Sequence, residues 1–314
     1  MLAGLTIPDL ALLMLCGVAL DYAFGETPRW HPLVGFGKVA ACIERHANRG
    51  AGRIGRGIAA WMLAVLPVTA LAYAACDMAG AALHVLLLYV CLGLRSLRDH
   101  NLPIACALAR GDVALARRLT SRIVSRDTSQ ATEADLAKAS TESLLENGND
   151  AVFGTLFWFV IAGGPGAVLY RLANTLDAMW GYRSSRYLHF GRAAARLDDA
   201  LNFIPARLTA LSYVLLANDR RTAWRCWREQ ARAWPSPNGG PVMASGAGGL
   251  GVALGGAAVY DGITEQRPPL GKGRAAGGHD IARAWELVQS AALLWLAIAC
   301  AAGLTMYLVG ARHA

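Results

Sequence analysis

The sequence predicts an α-helical membrane protein that crosses the bilayer several times, and its composition and apolar segments support this fold class. Of its 314 residues, 55% are hydrophobic and only 17% are charged. The mean hydropathy is +0.34, and 30 basic residues stand against 22 acidic ones. A soluble domain usually carries roughly 25% charged residues. A composition that is both apolar and basic indicates a membrane protein with charged loops on one side.

Composition also excludes several classes of protein. The apolar content excludes intrinsic disorder. We expect no basic stretch interleaved with exposed aromatic residues, and therefore no nucleic-acid partner. The seven cysteines form no CxxC pair, which argues against a zinc site or a disulfide framework. The N-terminus lacks the basic residues of a cleavable signal, so the first apolar run is expected to be retained.

Four apolar segments are expected to cross the membrane, because a span needs about 20 mostly apolar residues. They are residues 5–24, 57–76, 79–94 and 288–310. The alternative is that these segments are buried helices of a large soluble core. A fifth run, 151–170, contains Gly163-Gly164-Pro165-Gly166, which should break a helix. We therefore expect 151–170 to be either a re-entrant segment or a span.

The distribution of Lys and Arg predicts the orientation. Residues 25–56 hold six basic side chains and 95–150 hold eight, whereas 77–78 hold none. By the positive-inside rule, the basic segments face the cytoplasm and the N-terminus lies outside. We expect a single membrane domain over 1–314 in the cytoplasmic (inner) membrane, with 95–150 and 171–287 mainly cytoplasmic.

Acidic side chains cluster just before the broken apolar run. Glu142 and Glu146 stand four residues apart on one predicted helix face, and Asp150 follows. Three carboxylates this close repel one another unless a cation lies between them, and hard oxygen ligands suit Mg²⁺. The pattern therefore predicts a magnesium site, with a solvated acidic helix face as the alternative.

Polar residues also recur between apolar ones in 171–207, as expected of helices that line a polar cavity. Arginines of this stretch could bind phosphate, and Asp177 and Asp198 could hold a metal or pair with those arginines. Arg183 and Arg207 stand among apolar residues, where an unpaired guanidinium is costly, so each is expected to have an anionic partner. Internal salt bridges are the alternative for much of this set.

A series of motifs in this order is similar to a known family. They are RWHPLVG (29–35), RDT (126–128), ENGND (146–150), NTLD (174–177), GYR (181–183), ARLDD (195–199), IPARLTA (204–210) and SPNGG (236–240). Together they resemble the cobalamin-biosynthesis membrane protein family CobD/CbiB, adenosylcobinamide-phosphate synthase. The resemblance covers nearly the whole chain. It implies an all-α polytopic integral membrane protein with about four to six membrane segments and a polar cytoplasmic-face cavity.

The resemblance also implies an activity. The expected enzyme is an amide-forming ligase that joins adenosylcobyric acid to (R)-1-amino-2-propanol O-2-phosphate, or to free aminopropanol. ATP is the expected co-substrate and Mg²⁺ the expected cofactor. The expected partners are the corrinoid and the amine, the lipid bilayer, and other membrane enzymes of the late cobalamin pathway.

The residues expected to carry this activity fall into three groups. The catalytic candidates are Glu142, Glu146, Asp177 and Asp198, and the metal candidates are Glu142, Glu146 and Asp150. The candidates for binding substrate or phosphate are Arg126, Asp127, Thr128, Asn147, Asn174, Tyr182, Arg183, Arg196, Asn202, Arg207 and Asn238. Two other classes stay open: a Mg²⁺-dependent membrane transferase acting on a phosphorylated lipid-like substrate, and a solute transporter.

Overall fold

The computed structural model describes residues 4–26, 31–260 and 262–313, and within them the chain is mostly α-helical. The helices are α1 (Ile7–Phe24), α2 (Pro32–Ala47), α3 (Arg53–Ala79), α4 (Ala81–Cys91), α5 (Leu94–Ala109), α6 (Val113–Thr120), α7 (Glu133–Gly148), α8 (Gly154–Trp180), α9 (Arg192–Leu216), α10 (Arg220–Gln230), α11 (Gly239–Leu250) and α12 (Gly278–His313). A π-helical turn, Asn149–Phe153, precedes α8, and a 3-10 turn, Ala231–Ala233, follows α10. Arg29 and Trp30 of the N-terminal motif lie outside the described residues.

Within the described residues, five helical segments are long and apolar enough to cross a membrane. They are Ile7–Phe24, Arg53–Ala79, Ala81–Ala109, Glu133–Trp180 and Gly278–Ala311. These segments overlap the four expected spans and also include 151–170. Several of their large side chains lie exposed, among them Leu63 (64%) and Leu71 (70%) on α3. Such leucines suit contact with hydrocarbon chains, and the predicted fold class, a mostly α multi-pass membrane protein, is confirmed.

The predicted break in the fifth apolar run is also confirmed. Ala162 (φ −140°, ψ 21°) and Gly163 (φ 61°, ψ −151°) leave the helical conformation inside α8. Pro165 follows at once, where it removes a backbone donor. The N–H of Gly164 instead donates to Nδ1 of His84 on α4, at 2.9 Å. Whether 151–170 spans the membrane or re-enters it stays a prediction.

The chain divides into two compact units. The first comprises Met1–Gly93, Gly154–Asn202 and Leu296–Ala314, and the second comprises Leu94–Phe153 and Phe203–Trp295. In the first unit, α2, α3 and α4 all contact α8. The loop after α8 lies so close to α3 that a Cβ on Gly57 would stand 2.0 Å from the backbone oxygen of Phe190. Only glycine fits this contact.

The second unit is built around α7. This helix begins with a capping box in which Thr132 and Asp135 each accept a backbone N–H of the other. Leu136, Leu144 and Leu145 of α7 are fully buried. The α7 segment is thereby held inside the unit, and its polar face carries the first group of candidate site residues.

A small sheet completes the second unit and was not expected from the sequence. β1 (Val252–Tyr260) and β2 (Ile263–Gly271) form an antiparallel hairpin, and β3 (Arg274–Ala275) pairs with β1 in parallel. The strand order is β2-β1-β3. The hairpin register shifts between Gly255 and Gly256, which adopt φ of +72° and +68°, a region that favours glycine.

Candidate functional site

In the second unit, two arginines converge on one buried carboxylate. Glu142 of α7 is 2% exposed. Its Oε2 accepts from Arg126 Nη2 at 2.5 Å and from Arg267 Nη1 at 2.9 Å, and its Oε1 accepts from Arg267 Nη2 at 3.1 Å. The backbone N–H of Gly255 also donates to Oε1, at 2.7 Å. The alternative of a solvated acidic face therefore does not describe Glu142.

This group of Glu142, Arg126 and Arg267, here called the α7 charge cluster, carries more positive than negative charge. Burial lowers the pKa of the Arg267 guanidinium, but its hydrogen bonds to Glu142 and the carboxylate charge outweigh burial, so the net shift is upward. The Arg267 guanidinium also stands 5.3 Å from the centre of the Trp234 ring. Arg267 therefore remains cationic, and the nearby Glu146 carboxylate also favours its charge.

Glu146 lies one helical turn further along α7 and differs from Glu142 in its surroundings. Among the described residues, its carboxylate has no hydrogen-bonding or ion-pair partner. Its carboxylate is close enough to those of Glu142 and Asp150 to be repelled by both. A Cβ on Gly239 would stand 2.6 Å from Oε1 of Glu146, so the glycine leaves room for this carboxylate.

The donor set near Glu146 bears on the predicted Mg²⁺ site. No group of three or more His, Cys, Asp or Glu residues in the described part of the chain is placed to hold a metal ion. Both oxygens of Glu142 already accept hydrogen bonds. The Glu146 carboxylate is the one that fits best, and Asp150, whose Oδ1 accepts from Asn149 Nδ2 at 2.9 Å, lies beside it. One or two carboxylates plus substrate phosphates is the usual way in which proteins hold Mg²⁺. The site stays a prediction.

The RDT motif borders a cavity of about 470 Å³ in the same unit. Arg126 and Lys138 line it together with Asp127, Thr128 and the hairpin residue Thr264. Thr128 donates to the backbone oxygen of Arg117 at 3.1 Å, which ties the motif to α6. The lining thus combines two cationic side chains with two carboxylates, Asp127 and Asp135, and with hydroxyl groups. Its two cationic side chains are the donors that suit a phosphate.

Two further candidates, Arg207 and Asn238, contact each other. Arg207 Nη1 donates to Oδ1 of Asn238 at 2.5 Å, and Nη2 donates to the backbone oxygen of Pro237 at 2.9 Å. The guanidinium also lies 3.8 Å from the centre of the Phe203 ring. These contacts join the IPARLTA and SPNGG motifs, which the sequence alone leaves unconnected.

In the first unit, a buried polar network joins α8 to the first turns of α9. Asp198 accepts from Asn202 Nδ2 at 3.1 Å and from Asn174 Nδ2 at 3.3 Å. Tyr170 donates its hydroxyl to Oδ1 of Asn202 at 2.8 Å, and Arg171 donates to Oδ1 of Asn174 at 3.1 Å. Three predicted site residues, Asn174, Asp198 and Asn202, therefore lie together.

The remaining candidates lie apart from these contacts. Tyr182, Arg183 and Arg196 are exposed. Arg183 is exposed, so burial among apolar residues does not require an anionic partner for it, and its contact with an anion stays a prediction. The carboxylate of Asp177 lies against Gly181, where a Cβ would stand 2.0 Å from its Oδ1. Asn147 donates to the hydroxyl of Ser143 at 3.0 Å.

Comparison with known proteins decides the family. The family model described as CobD/Cbib protein matches residues 14–288. A cobalamin biosynthesis protein CobD from Stutzerimonas stutzeri is 56% identical over 283 residues, covering 89% of this chain and 93% of its own length. The chain belongs to the CobD/CbiB family. A CobD protein from Chromobacterium violaceum is 52% identical over 314 residues (97% of this chain, 99% of its own), and one from Geobacter metallireducens is 41% identical over 273 residues (82% and 85%). No solved structure matches.

Membership in the CobD/CbiB family assigns the chain to cobalamin biosynthesis. The matched range contains both the α7 charge cluster and the Asp198 network. It also contains residues that the sequence reasoning missed: Arg267, Lys138, Tyr170 and Gly239. Tyr170 stands four residues before Asn174, a helical spacing that could have signalled it. Arg267 carries no such signal, because its partner Glu142 is 125 residues away.

Proposed function

We propose that this CobD/CbiB protein forms an amide bond between the free carboxylate of adenosylcobyric acid and the amine of (R)-1-amino-2-propanol O-2-phosphate, or of free aminopropanol, at the expense of ATP. The observation that carries the proposal is the placement of Arg126, which borders both the buried carboxylate of Glu142 and a cavity of about 470 Å³ that Lys138 also lines. A reaction that handles phosphate groups needs such cationic donors.

The chemistry requires activation of the carboxylate, because oxide is too poor a leaving group for an amine to displace. The corrinoid carboxylate oxygen attacks the γ-phosphorus of ATP, ADP leaves, and an acyl phosphate forms. The amine nitrogen then attacks the acyl carbon, inorganic phosphate leaves, and the nitrogen loses a proton to a base. In this scheme Arg126 and Lys138 bind phosphate oxygens, and Glu142 orients Arg126 and Arg267.

Magnesium is part of the proposal, and bound Mg²⁺ would neutralise phosphate charge. Glu146 and Asp150 are the residues that would hold it, since Glu142 is occupied by arginines. Glu146 is half-buried and has no ion-pair partner among the described residues. Gly239 leaves its carboxylate accessible from the side of α11.

The direct test is an assay of the purified protein in detergent. Sustained ADP formation should require both corrinoid and amine, in a one-to-one ratio with the amide product measured by mass spectrometry. Transfer of a phosphorylated group without ATP would instead favour the membrane transferase. Substrate uptake by proteoliposomes without product formation would favour the transporter.

A variant pair tests the phosphate role of Arg126. Arg126→Lys keeps the charge but loses the two-pronged grip of the guanidinium, so KM for one phosphorylated substrate should rise by about tenfold or more. Arg122→Lys, an exposed change nearby in the sequence, serves as the matched control and should leave kinetics unchanged. Unchanged kinetics in both variants would remove Arg126 from the proposed site.

A further inference from the structure

Helix α10 has two faces of opposite character. Ala223 is buried and packs with Val214 and Ala217 of the preceding segment, and Trp227 lies against this group. The other face carries exposed residues at helical spacings i, i+3, i+4 and i+7, which are Arg221, Trp224, Arg225 and Arg228. One face therefore anchors α10 within the second unit, and the other is presented to its surroundings.

The exposed face of α10 is strongly basic. Residues 220–232 contain five arginines and one acidic residue, Glu229. Among the described residues, none of these five arginines forms a salt bridge. The Arg228 guanidinium instead stands 5.9 Å from the centre of the Trp224 ring. Trp224 packs edge-on against Trp227, with ring centres 5.1 Å apart, and is still 45% exposed.

An exposed apolar stripe leads directly into this basic face. Ile204, Leu208, Leu211 and Leu215 of α9 lie at spacings of four, three and four residues, and all four are exposed. A shallow depression at the corner between α9 and α10 is lined by leucines and arginines together. Its lining includes Leu215, Leu216, Asn218, Arg220 and Arg221.

This order of leucine, arginine and tryptophan side chains matches the boundary of a bilayer. Hydrocarbon chains cover leucines, anionic headgroups attract arginines, and tryptophan is favoured at the level of the headgroups. Each basic side chain near an anionic surface strengthens binding, and the effect is screened by salt. A nucleic acid or an acidic soluble protein would satisfy the arginines but would leave the four-residue apolar stripe of α9 uncovered.

We propose that the exposed stripe of α9 and the basic face of α10 form a binding surface for anionic phospholipid. The acyl chains lie against Ile204, Leu208, Leu211 and Leu215. The headgroup phosphates accept hydrogen bonds from the exposed arginines of α10, and Trp224 lies between the two layers. The proposal does not depend on the ligase activity.

The test compares two charge-matched variants of the full chain in nanodiscs. The first removes three arginines of α10 by Arg221→Gln, Arg225→Gln and Arg228→Gln. The control removes three exposed arginines elsewhere in the second unit by Arg110→Gln, Arg118→Gln and Arg122→Gln. The readout is the rise in Tm when phosphatidylglycerol is titrated into phosphatidylcholine nanodiscs. A third variant carries Lys at the three α10 positions.

Wild type should gain Tm with phosphatidylglycerol, and 0.5 M salt should reduce the gain. The α10 Gln variant should need on the order of tenfold more phosphatidylglycerol than wild type to reach half of the maximal gain in Tm. The control and Lys variants should behave like wild type. An equal response of the α10 Gln variant and the control would overturn the proposal, as would a wild-type Tm that is indifferent to phosphatidylglycerol. If the Gln variant does not fold, loss of the response in the Lys variant or its insensitivity to salt would overturn it too.

Discussion

The Arg267 guanidinium makes two side-by-side hydrogen bonds with the Glu142 carboxylate, Nη1 to Oε2 at 2.9 Å and Nη2 to Oε1 at 3.1 Å. The side chains are only 11% and 3% exposed, so water shields neither charge well. Arg126, which precedes α7 in the sequence, donates to the same carboxylate. One buried carboxylate therefore holds together the RDT motif, α7 and the β1–β2 hairpin.

Loss of the Glu142 charge should destabilise the second unit. Glu142→Gln leaves two largely buried guanidinium groups without their shared anion, and breaking a buried ion pair costs about 3–5 kcal/mol. Tm in detergent should fall by at least about 5 °C. Glu133→Gln makes the same chemical change at an exposed position of α7 and should leave Tm unchanged. Equal Tm values for the two variants would show that the ion pair contributes little.

Glu146→Gln should act on magnesium dependence instead of stability. The carboxylate has no ion-pair partner among the described residues, so the nearly isosteric amide should fold normally. If Glu146 holds Mg²⁺, the variant should require at least about tenfold more Mg²⁺ than wild type for half-maximal activity. An unchanged Mg²⁺ titration in this variant would remove Glu146 from the metal site.

Gly239→Ala provides a second way to move the Glu146 carboxylate. The added Cβ would stand 2.6 Å from Oε1, a contact that the flexible end of the glutamate can relieve by moving. We expect a folded protein with a raised Mg²⁺ requirement. Gly55→Ala, where nothing lies within 4 Å of the added Cβ, is the matched control. A raised Mg²⁺ requirement in both variants would show that the effect does not come from moving the Glu146 carboxylate.

The helical framework could be predicted because a bilayer imposes simple rules on sequence. A run of about 20 apolar residues is the signature of a span, and glycine with proline marks a break. The break found at Ala162 and Gly163 falls at the start of the predicted stretch 163–166. Gly255 and Gly256, in contrast, place a bulge in β1 and remove two side chains from any alternating pattern, so the hairpin gave no clear strand signal.

Site residues could be predicted only as far as local spacing reaches. Asp198 and Asn202 stand four residues apart on α9, and the structure joins them. The same spacing between Glu142 and Glu146 suggested a shared metal. In the structure, Arg267 of β2, which is distant in sequence, donates hydrogen bonds to both carboxylate oxygens of Glu142. Burial of Arg183 was inferred from its apolar neighbours in sequence, yet the loop turns its side chain to solvent.

Tyr170→Phe tests the polar network of the first unit. Tyr170 is fully buried and donates to Asn202 at 2.8 Å, so removing the hydroxyl leaves a buried acceptor with one donor fewer. The expected loss of stability is about 1–3 kcal/mol, seen as a lower Tm in detergent. Tyr307→Phe, at a position that is 65% exposed, should have no effect. Indistinguishable Tm values would mean that the hydroxyl is not needed to hold Asn202.

The ion pair between Glu44 and Arg186 predicts an acid limit to stability. Arg186 donates to both Glu44 oxygens, at 3.0 and 2.6 Å, and this hydrogen bonding lowers the pKa of Glu44 against the opposing effect of burial. A carboxyl whose pKa is lowered by folding stabilises the protein above its unfolded pKa of about 4.3, and the stabilisation is lost as pH falls through the folded pKa. Wild type should therefore exceed Glu44→Gln in Tm at pH 7. The two should converge below about pH 4, and a Tm difference that is constant with pH would contradict the assignment.

The orientation of the membrane segments is tested by labelling cysteines from outside intact cells. The positive-inside rule places the basic segments 95–150 and 171–207 in the cytoplasm and the short link near residue 78 outside. On a background without the seven native cysteines, Met78→Cys should be labelled, because Met78 is 89% exposed. Ser129→Cys and Ser184→Cys are also at exposed positions and should react only after the cells are permeabilised.

The pattern of labelling also decides how α8 crosses the membrane. A full span over 151–170 would place residues 129 and 184 on opposite sides, so that Ser184→Cys alone reacts in intact cells. A re-entrant segment returns to its own side, and both positions stay protected together. We expect joint protection, because a full span would carry the six basic residues of 171–207 outside, against the positive-inside rule, and the break at Gly163 allows the chain to turn back. Labelling of Ser184→Cys with Ser129→Cys protected would show that α8 spans the bilayer despite its break.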